Sequence, residues 1–184
     1  MTDNELTIIL NGCRARQQSS QYKLYGLFYN YAMTVARRYV ISTHDSEEVV
    51  NDSFFKVFNK IEQYSNESSF KAWLRRIVVN TSIDHIRAKK RQPQINDIEG
   101  YVFETEIETD IITAMTKAEL LELVHQLPPA YRTVFNLYIV DEYNHEEIAN
   151  LLGISVGTSK SNLARARQYL KKVIDQHEGK IRHT

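Results

Sequence analysis

The chain has 184 residues, 42% of them apolar and 25% charged, which is an ordinary globular composition and excludes a fibrous or low-complexity protein. Lys and Arg (23) balance Asp and Glu (23), the single cysteine excludes an intramolecular disulfide framework and a multi-cysteine zinc site, and no run nears the ~18 to 20 apolar residues of a membrane span. The opening Met-Thr-Asp-Asn-Glu is acidic and lacks the apolar stretch of a secretory signal, so a cytoplasmic location is expected.

The zero net charge hides segregation. Residues 59–91 hold eight Lys or Arg against three Asp or Glu, whereas residues 92–112 hold six acids and no Lys or Arg. A neutral sum of separate blocks points to distinct charged surfaces.

A first helix is expected over residues 3–16, with Leu6, Ile9, Leu10 and Cys13 on one face. Thr2 and Glu5 have capping-box spacing, and Cys13 reads as a small apolar residue. Ser20 is expected to cap a second helix reaching about Tyr39, where Leu24, Leu27, Phe28, Tyr31, Ala32, Val35 and Ala36 recur at spacings of three and four. Arg37 and Arg38 close it, favourably for the helix dipole.

Asp45, with Glu48, opens a third helix to about Ile61, whose inner stripe is Val50, Phe54, Val57, Phe58 and Ile61. Glu47, Glu48, Asn51, Asp52 and Phe55 fall elsewhere on its surface. An aromatic ring beside an acidic face marks an interface.

A polar loop, Glu62 to Ser69, contains one aromatic, Tyr64. Ser68 and Ser69 then cap a fourth helix from Phe70 to about Lys90, packed through Phe70, Trp73, Leu74, Ile77 and Val78. Lys71, Arg75, Arg76, Arg87, Lys89, Lys90 and Arg91 make it basic. A basic helix after a loop of Tyr, Ser and Asn suits nucleic acid, since cations take phosphates and a loop pocket holds an unstacked base. A solvated basic face gives the same charge run. His85, beside Asp84, reads as a structural or phosphate-contacting residue.

Pro93 ends the helical pattern, and residues 92–112 read as an acidic linker. The helical period returns from about Asp110 to Gln126, through Ile112, Met115, Leu120, Leu123 and Val124. Leu127-Pro-Pro-Ala closes that helix and opens another, with Tyr131, Val134, Phe135 and Tyr138 inward as far as about Val140.

Two helices joined by a tight turn follow. Asn144 and Glu147 form a capping-box start, and Ile148, Leu151 and Leu152 give an apolar face. Gly153 supplies the stop, Ile154 fills the corner and Ser155 caps the next helix. That helix carries Leu163, Ala166, Leu170 and Val173 or Ile174 inward, leaving Ser159, Lys160, Asn162, Arg165, Arg167 and Lys171 to point elsewhere. This is a helix-turn-helix pattern, with Ala149 small enough for close approach of the two helices. Taken alone, an ordinary helical hairpin with solvated charges fits too. A polar tail, residues 176–184, is expected to fray.

No strand alternation is strong enough to build a sheet. The expected fold is all-α: two small helical domains, residues 1–91 and 113–175, joined by the acidic linker, with the helix-turn-helix in the second.

Catalysis finds little support. Glu142 and His145 have the Glu-x-x-His spacing of di-iron bundles, but those need two such motifs, and this one straddles a helix start. Asp45, Glu48 and Asp52 read as an acidic helix surface. Neither an enzyme, a bound metal nor a cofactor is expected.

Four stretches together resemble the extracytoplasmic-function sigma factors of the sigma-70 family. They are Asp45-Ser-Glu-Glu-Val-Val-Asn-Asp-Ser-Phe-Phe-Lys-Val-Phe58, Ser69-Phe-Lys-Ala-Trp-Leu-Arg-Arg-Ile-Val-Val-Asn-Thr-Ser-Ile-Asp-His-Ile-Arg-Ala-Lys-Lys-Arg91, Leu127-Pro-Pro-Ala-Tyr-Arg, and Gly153-Ile-Ser-Val-Gly-Thr-Ser-Lys-Ser. The details look like the Bacteroidetes-type members. The resemblance implies a factor that binds bacterial RNA polymerase core and directs it to promoters. It places Glu48, Asn51, Asp52 and Phe55 on the clamp helices of the largest subunit. It gives Tyr64, Ser65, Asn66 and Glu67 to a flipped base of the minus-ten element, and Lys71, Arg75, Arg76, Asn80, Arg87 and Lys89 to the melted strand. It gives Ser155, Thr158, Ser159, Lys160, Asn162, Arg165, Arg167 and Lys171 to the minus-thirty-five duplex. It further implies contact with the flap of the second-largest subunit, an anti-sigma factor as partner, and no membrane insertion.

Two residues depart from the family pattern. Ser159 stands where many members carry an apolar side chain, which leaves that side of the recognition helix less firmly anchored. Asn162 stands where Arg is common, and Asn reads adenine where Arg reads guanine, so no minus-thirty-five sequence carries over. The competing reading is a stand-alone helix-turn-helix regulator, which leaves the acidic helix, loop and basic helix without a task.

Overall fold

The computed structural model describes the backbone of residues 3–65, 68–90 and 117–181, and side chains for residues 4–65, 68–89 and 122–175. The chain divides into two compact units, Met1–Pro93 and Gln94–Thr184. Among the described residues every regular element is helical. The linker expected over residues 92–112, and the start of the following helix near Asp110, lie outside the described residues.

In the first unit four α-helices follow in order: α1 (Asp3–Arg14), α2 (Gln18–Ala36), α3 (Thr43–Lys60) and α4 (Phe70–Lys90), with a 3₁₀ turn at Ile61–Gln63. α4 packs on both α2 and α3, and α1 lies on α2. The interior is the apolar stripes read from the sequence, with Leu24, Val35, Val50, Phe54, Val57, Leu74 and Val78 essentially without solvent contact. Aromatic rings tie the layers: Phe28 meets Phe70 edge-on at 4.9 Å, and Tyr25 meets Phe54 at 4.7 Å. Gly12 is required where α1 meets the start of α2, because a Cβ there would sit 2.1 Å from Ser20 Oγ.

Three helix starts and stripes differ from expectation. α2 begins before Ser20, with Gln17 at the N-cap position. α3 begins two residues before Asp45, and its cap is Ser42, whose side chain accepts from the Asp45 N–H at 3.3 Å. Asp45 and Glu48 share a spacing with capping boxes, but the Ser42 hydroxyl just before the helix does the capping. Leu27, expected inside, is exposed. At α4 the expected Ser69 cap is present, its hydroxyl accepting from the Ala72 N–H at 3.2 Å.

The second unit contains α5 (Lys117–Gln126), α6 (Pro129–Phe135), a π-helical turn (Asn136–Val140), α7 (His145–Leu152) and α8 (Val156–Ile181). The helix expected to continue to Val140 instead widens after Phe135, so that the Asp141 N–H reaches back five residues to Asn136 C=O at 2.9 Å. α8 packs on α6, α7 and α5. Its buried line is Ser159, Leu163, Ala166, Leu170 and Ile174. The tail expected to fray from residue 176 is helical in its backbone to Ile181. No proline interrupts it, and the single Gly179 costs a helix only about 1 kcal/mol.

Arg132 is 6% exposed and donates from Nη1 to the carbonyls of His125 and Leu127, at 3.2 and 3.4 Å. These are carbonyls that the end of α5 leaves without helical partners. The Arg of the Leu-Pro-Pro-Ala-Tyr-Arg stretch therefore works as an internal cap.

Candidate nucleic-acid interface

α3 presents one charged face. Glu47, Glu48, Asn51 and Asp52 are exposed, and beside them the Phe55 ring is 69% exposed while its neighbour Phe54 is buried. Asn51 is fixed rather than free, since its Oδ1 accepts from the Tyr25 hydroxyl at 2.9 Å. Burial, with Tyr29 and Glu47 nearby, raises the Tyr25 pKa, so the hydroxyl remains a donor.

The loop after α3 is held from below. Tyr64 is 7% exposed, and its ring packs on Phe70 at 5.5 Å and on Trp73 at 5.3 Å. Its hydroxyl donates to Ser68 C=O at 2.8 Å, and its own carbonyl accepts from Arg14 Nη2 at 3.2 Å. Tyr64, expected among the residues offered to an unpaired base, is committed to the floor of the loop. Of its expected companions Ser65 is exposed, and Asn66 and Glu67 lie outside the described residues.

The six polar residues expected along α4 do not share a face. Arg76, Asn80 and Arg87 recur at four and seven residues, which makes one stripe. Lys71 and Arg75 emerge on another side near the helix start, and Lys89 emerges there near its end. Lys71 Nζ lies 4.6 Å from the centre of the Tyr31 ring, a cation–π contact. Lys89 Nζ donates to Asp45 Oδ2. Asp84, the acid nearest the stripe in sequence, is engaged by Lys56 Nζ at 3.1 Å.

Asp45 gathers several groups. His85 Nε2 lies 3.8 Å and His44 Nδ1 3.9 Å from its Oδ1. The Lys89 hydrogen bond, aided by the Lys89, His85 and His44 charges and opposed by burial, lowers its pKa. His44, Asp45 and Glu48 offer ligand atoms within 4.8 Å of one another, but Lys89 already occupies the carboxylate they would share.

In the second unit the helix-turn-helix follows the residues closely. Asn144 accepts from the Glu146 and Glu147 N–H groups at 2.9 Å, and Glu147 accepts from the Asn144 N–H at 2.8 Å, completing the capping box. Gly153 takes the left-handed conformation, φ 67° and ψ 37°. Ser155 Oγ accepts from the Thr158 N–H at 3.0 Å.

α8 divides its polar residues as α4 does. Thr158, Asn162 and Arg165 recur at four and three residues, on the opposite flank of the buried line from Lys160. Lys160, Arg167 and Lys171 recur at seven and four, along its flank. Ser159, expected to meet DNA, is not on either stripe. It has no exposed surface, and its Oγ is 2.9 Å from His145 Nδ1. That side of the helix, expected to be less firmly anchored, is held by this hydrogen bond. The His145 ring in turn stacks on Tyr138, centroids 4.5 Å apart and planes at 23°. Sequence reasoning has no ground for singling out His145 beyond a spacing that reads as chance, while Ser159 carries a clue in being polar at a buried period.

Comparison with known proteins fits both units. Residues 24–92 match Sigma-70 region 2, and residues 117–170 match Sigma-70 region 4. The chain is 30% identical over 174 residues to the ECF RNA polymerase sigma-E factor of Haemophilus influenzae, covering 86% of this chain and 92% of that protein. The chain belongs to the extracytoplasmic-function sigma factors of the sigma-70 family. It is also 32% identical over 142 residues to the ECF RNA polymerase sigma factor SigW of Bacillus subtilis, covering 71% and 76% of the two chains. The sigma factor RpoE in complex with the anti-sigma factor NepR from Bartonella quintana shares the fold, with a TM-score of 0.50 and 19% identity over 84% of this chain and 96% of that one. Sigma factors are non-enzymatic initiation factors, and the function of this one is promoter-specific initiation of transcription. No helix among the described residues is long and apolar enough to cross a membrane.

Proposed function

We propose that this sigma factor divides its task among separate surfaces. The α3 face of Glu48, Asn51, Asp52 and Phe55 binds the clamp helices of the largest RNA polymerase subunit. The Arg76, Asn80 and Arg87 stripe of α4, with Lys71, Arg75 and Lys89 at its margins, follows the phosphates of the melted minus-ten strand. Ser65 and its loop neighbours, carried on Tyr64, receive an unstacked base, and stacking contributes ~1 to 3 kcal/mol per captured base. Thr158, Asn162 and Arg165 of α8 face base edges of the minus-thirty-five duplex, flanked by Lys160, Arg167 and Lys171 on phosphates, with Ser155 at the helix start. The flap of the second-largest subunit meets the second unit. An anti-sigma factor is the regulatory partner, a reading supported by the NepR complex of the Bartonella relative. The working location is the cytoplasm, where the polymerase is.

The observation that carries the core-binding assignment is Phe55. Its ring is 69% exposed in the middle of an acidic face, on a helix whose inner stripe already fills the core. Aromatic anchors ringed by polar groups are what interfaces use. In vitro transcription with core polymerase tests the function, and Asp52→Arg tests the surface. The variant should pull down core polymerase at least tenfold more weakly while holding duplex DNA as before. Unchanged core binding removes α3 from the contact.

A further inference from the structure

We propose that His145 is a positioning residue for duplex reading, setting the roll of α8 on α7 through its contacts with Tyr138 and Ser159. The inference rests on the reading that α8 meets the minus-thirty-five duplex.

Ser159 is a polar side chain in the buried line of α8, which otherwise runs Leu163, Ala166, Leu170 and Ile174. Apolar contacts tolerate some sliding and rolling, because dispersion has little direction. A hydrogen bond does not, because it weakens steeply off line. A buried hydroxyl also needs its partner, so the alternative roll angles that break the 2.9 Å contact are disfavoured. The residue after Ser159 is Lys160, one turn on is Asn162, and nearly two turns on is Arg165. The bond thus lies at the end of the helix that carries the polar stripes.

His145 is itself held from the other side. The Tyr138 ring lies flat against it at 4.5 Å, and Tyr138 belongs to the π-helical turn that follows α6. The chain of contacts therefore runs from the π turn through the imidazole to the buried face of α8. The start of α7 is set within its own residues by the capping box, in which Glu147 accepts from the Asn144 N–H, and His145 is the first residue inside that cap.

The imidazole is suited to this in its neutral form. Burial first, then the Lys160 and Arg167 charges of α8, lower its pKa below the ordinary 6.5. A neutral ring either accepts the Ser159 proton at Nδ1 or donates to its oxygen, and both tautomers keep the bond. A charged ring would add a third cation beside Lys160 and Arg167.

The test uses the full chain reconstituted with RNA polymerase core and a fully randomised duplex library. The wild type returns its preferred element, and four variants are then compared on that element and on a scrambled duplex. His145→Ala and Ser159→Ala should each lose about tenfold of the preference for the element, the size of one mismatched base pair, with little change on scrambled DNA. His145→Gln, which keeps a hydrogen-bonding group, should lose less. The double variant His145→Phe with Ser159→Ala keeps a ring on Tyr138 and replaces the bond with an apolar contact, and it should recover most of the preference. Single variants with full preference overturn the positioning role. A double variant as poor as His145→Ala also overturns it, because the imidazole would then be touching DNA itself. A wild-type holoenzyme that enriches no upstream element strikes instead at duplex reading by α8. The thermal transition of the second unit, followed in every variant, separates loss of roll from loss of fold.

Discussion

Buried polar side chains behave differently in the two units. In the first, Ser53, Thr81 and Ser82 donate to carbonyls four residues back in their own helices, at 2.6 to 2.8 Å, and Ser46 donates at 2.9 Å to Val40 C=O in the segment just before its helix. They are satisfied locally by these bonds, which join no two helices. In the second, Thr133 bonds in the same local way to Pro129 C=O, but Arg132 reaches from α6 to the end of α5, and Ser159 reaches from α8 to His145 of α7. The polar contacts between helices of the first unit, Tyr25 to Asn51, Lys56 to Asp84 and Lys89 to Asp45, lie at its surface over an apolar and aromatic interior, whereas in the second unit such contacts reach the interior. The α3 face proposed to dock on polymerase needs only the first kind of rigidity. A helix that must present particular side chains to bases gains from the second.

The largest effect that separates core from face lies at two adjacent rings. Phe54 is 1% exposed, against Tyr25 at 4.7 Å and Phe58 at 6.0 Å, and Phe54→Ala should cost about 3–5 kcal/mol of the first unit's stability. Phe55→Ala should stay within about 0.5 kcal/mol, as surface changes do, while weakening the hold on core polymerase. Calorimetry of the full chain reads both, since only the first unit's transition should move. Equal shifts from the two variants would mean that Phe55 is part of the core and not of an interface.

The same contrast explains what is legible in the sequence. The helices of the first unit follow from apolar spacing, because nearly every residue on the stripes is buried against another stripe. Their starts are less legible: Ser42 and Gln17 precede the apolar period, and a cap depends on where the chain turns rather than on composition. In the second unit, equating polar with exposed places Ser159 on DNA and passes over Arg132 and His145. Each of the three bonds to a group outside its own helix, and such partners leave no period to read. Asn144, Glu147, Gly153 and Ser155 are legible because capping and left-handed stops are settled within four residues. Tyr64 misleads for the opposite reason: an aromatic in a polar loop looks available, yet the rings of Phe70 and Trp73 behind it supply a better place.

A middle-sized effect tests that local stop. Gly153 holds φ 67°, where a Cβ meets the following carbonyl oxygen at a cost of roughly 1–2 kcal/mol. Gly153→Ala should lower the second unit's stability by that amount and leave the first unit's transition in place. It should also weaken duplex binding, because the turn sets the angle between α7 and α8. A Gly153→Ala chain with an unmoved second transition would show that the turn relaxes to another conformation and that the helix-turn-helix angle is set by packing alone.

The smallest expected effect lies in how each unit answers acid. Asp45 has its pKa lowered below 3.8 chiefly by the Lys89 hydrogen bond, so it releases its proton more readily folded than unfolded. Its contribution is present above 3.8 and is lost as the pH falls through the lower folded value. Lys89 is 57% exposed, so solvent and salt screen the pair, and the contribution is below about 1 kcal/mol. His145 also has its pKa lowered, but from 6.5, and as a base: the unfolded chain takes up the proton first. Its contribution is full above 6.5 and declines as the pH falls from there to the folded value. Acidification should therefore loosen the second unit while the first is still unaffected by Asp45. Asp45→Asn should flatten only the first unit's dependence at the acidic end, and Ser159→Ala should leave it unchanged. Stability of both transitions against pH, with and without Asp45→Asn, reads the two windows. A first unit whose acid slope is unchanged in Asp45→Asn would leave the Lys89 contact as a surface pairing with no hold on the fold, and Lys89 would then be as free for the melted strand as Arg76, Asn80 and Arg87.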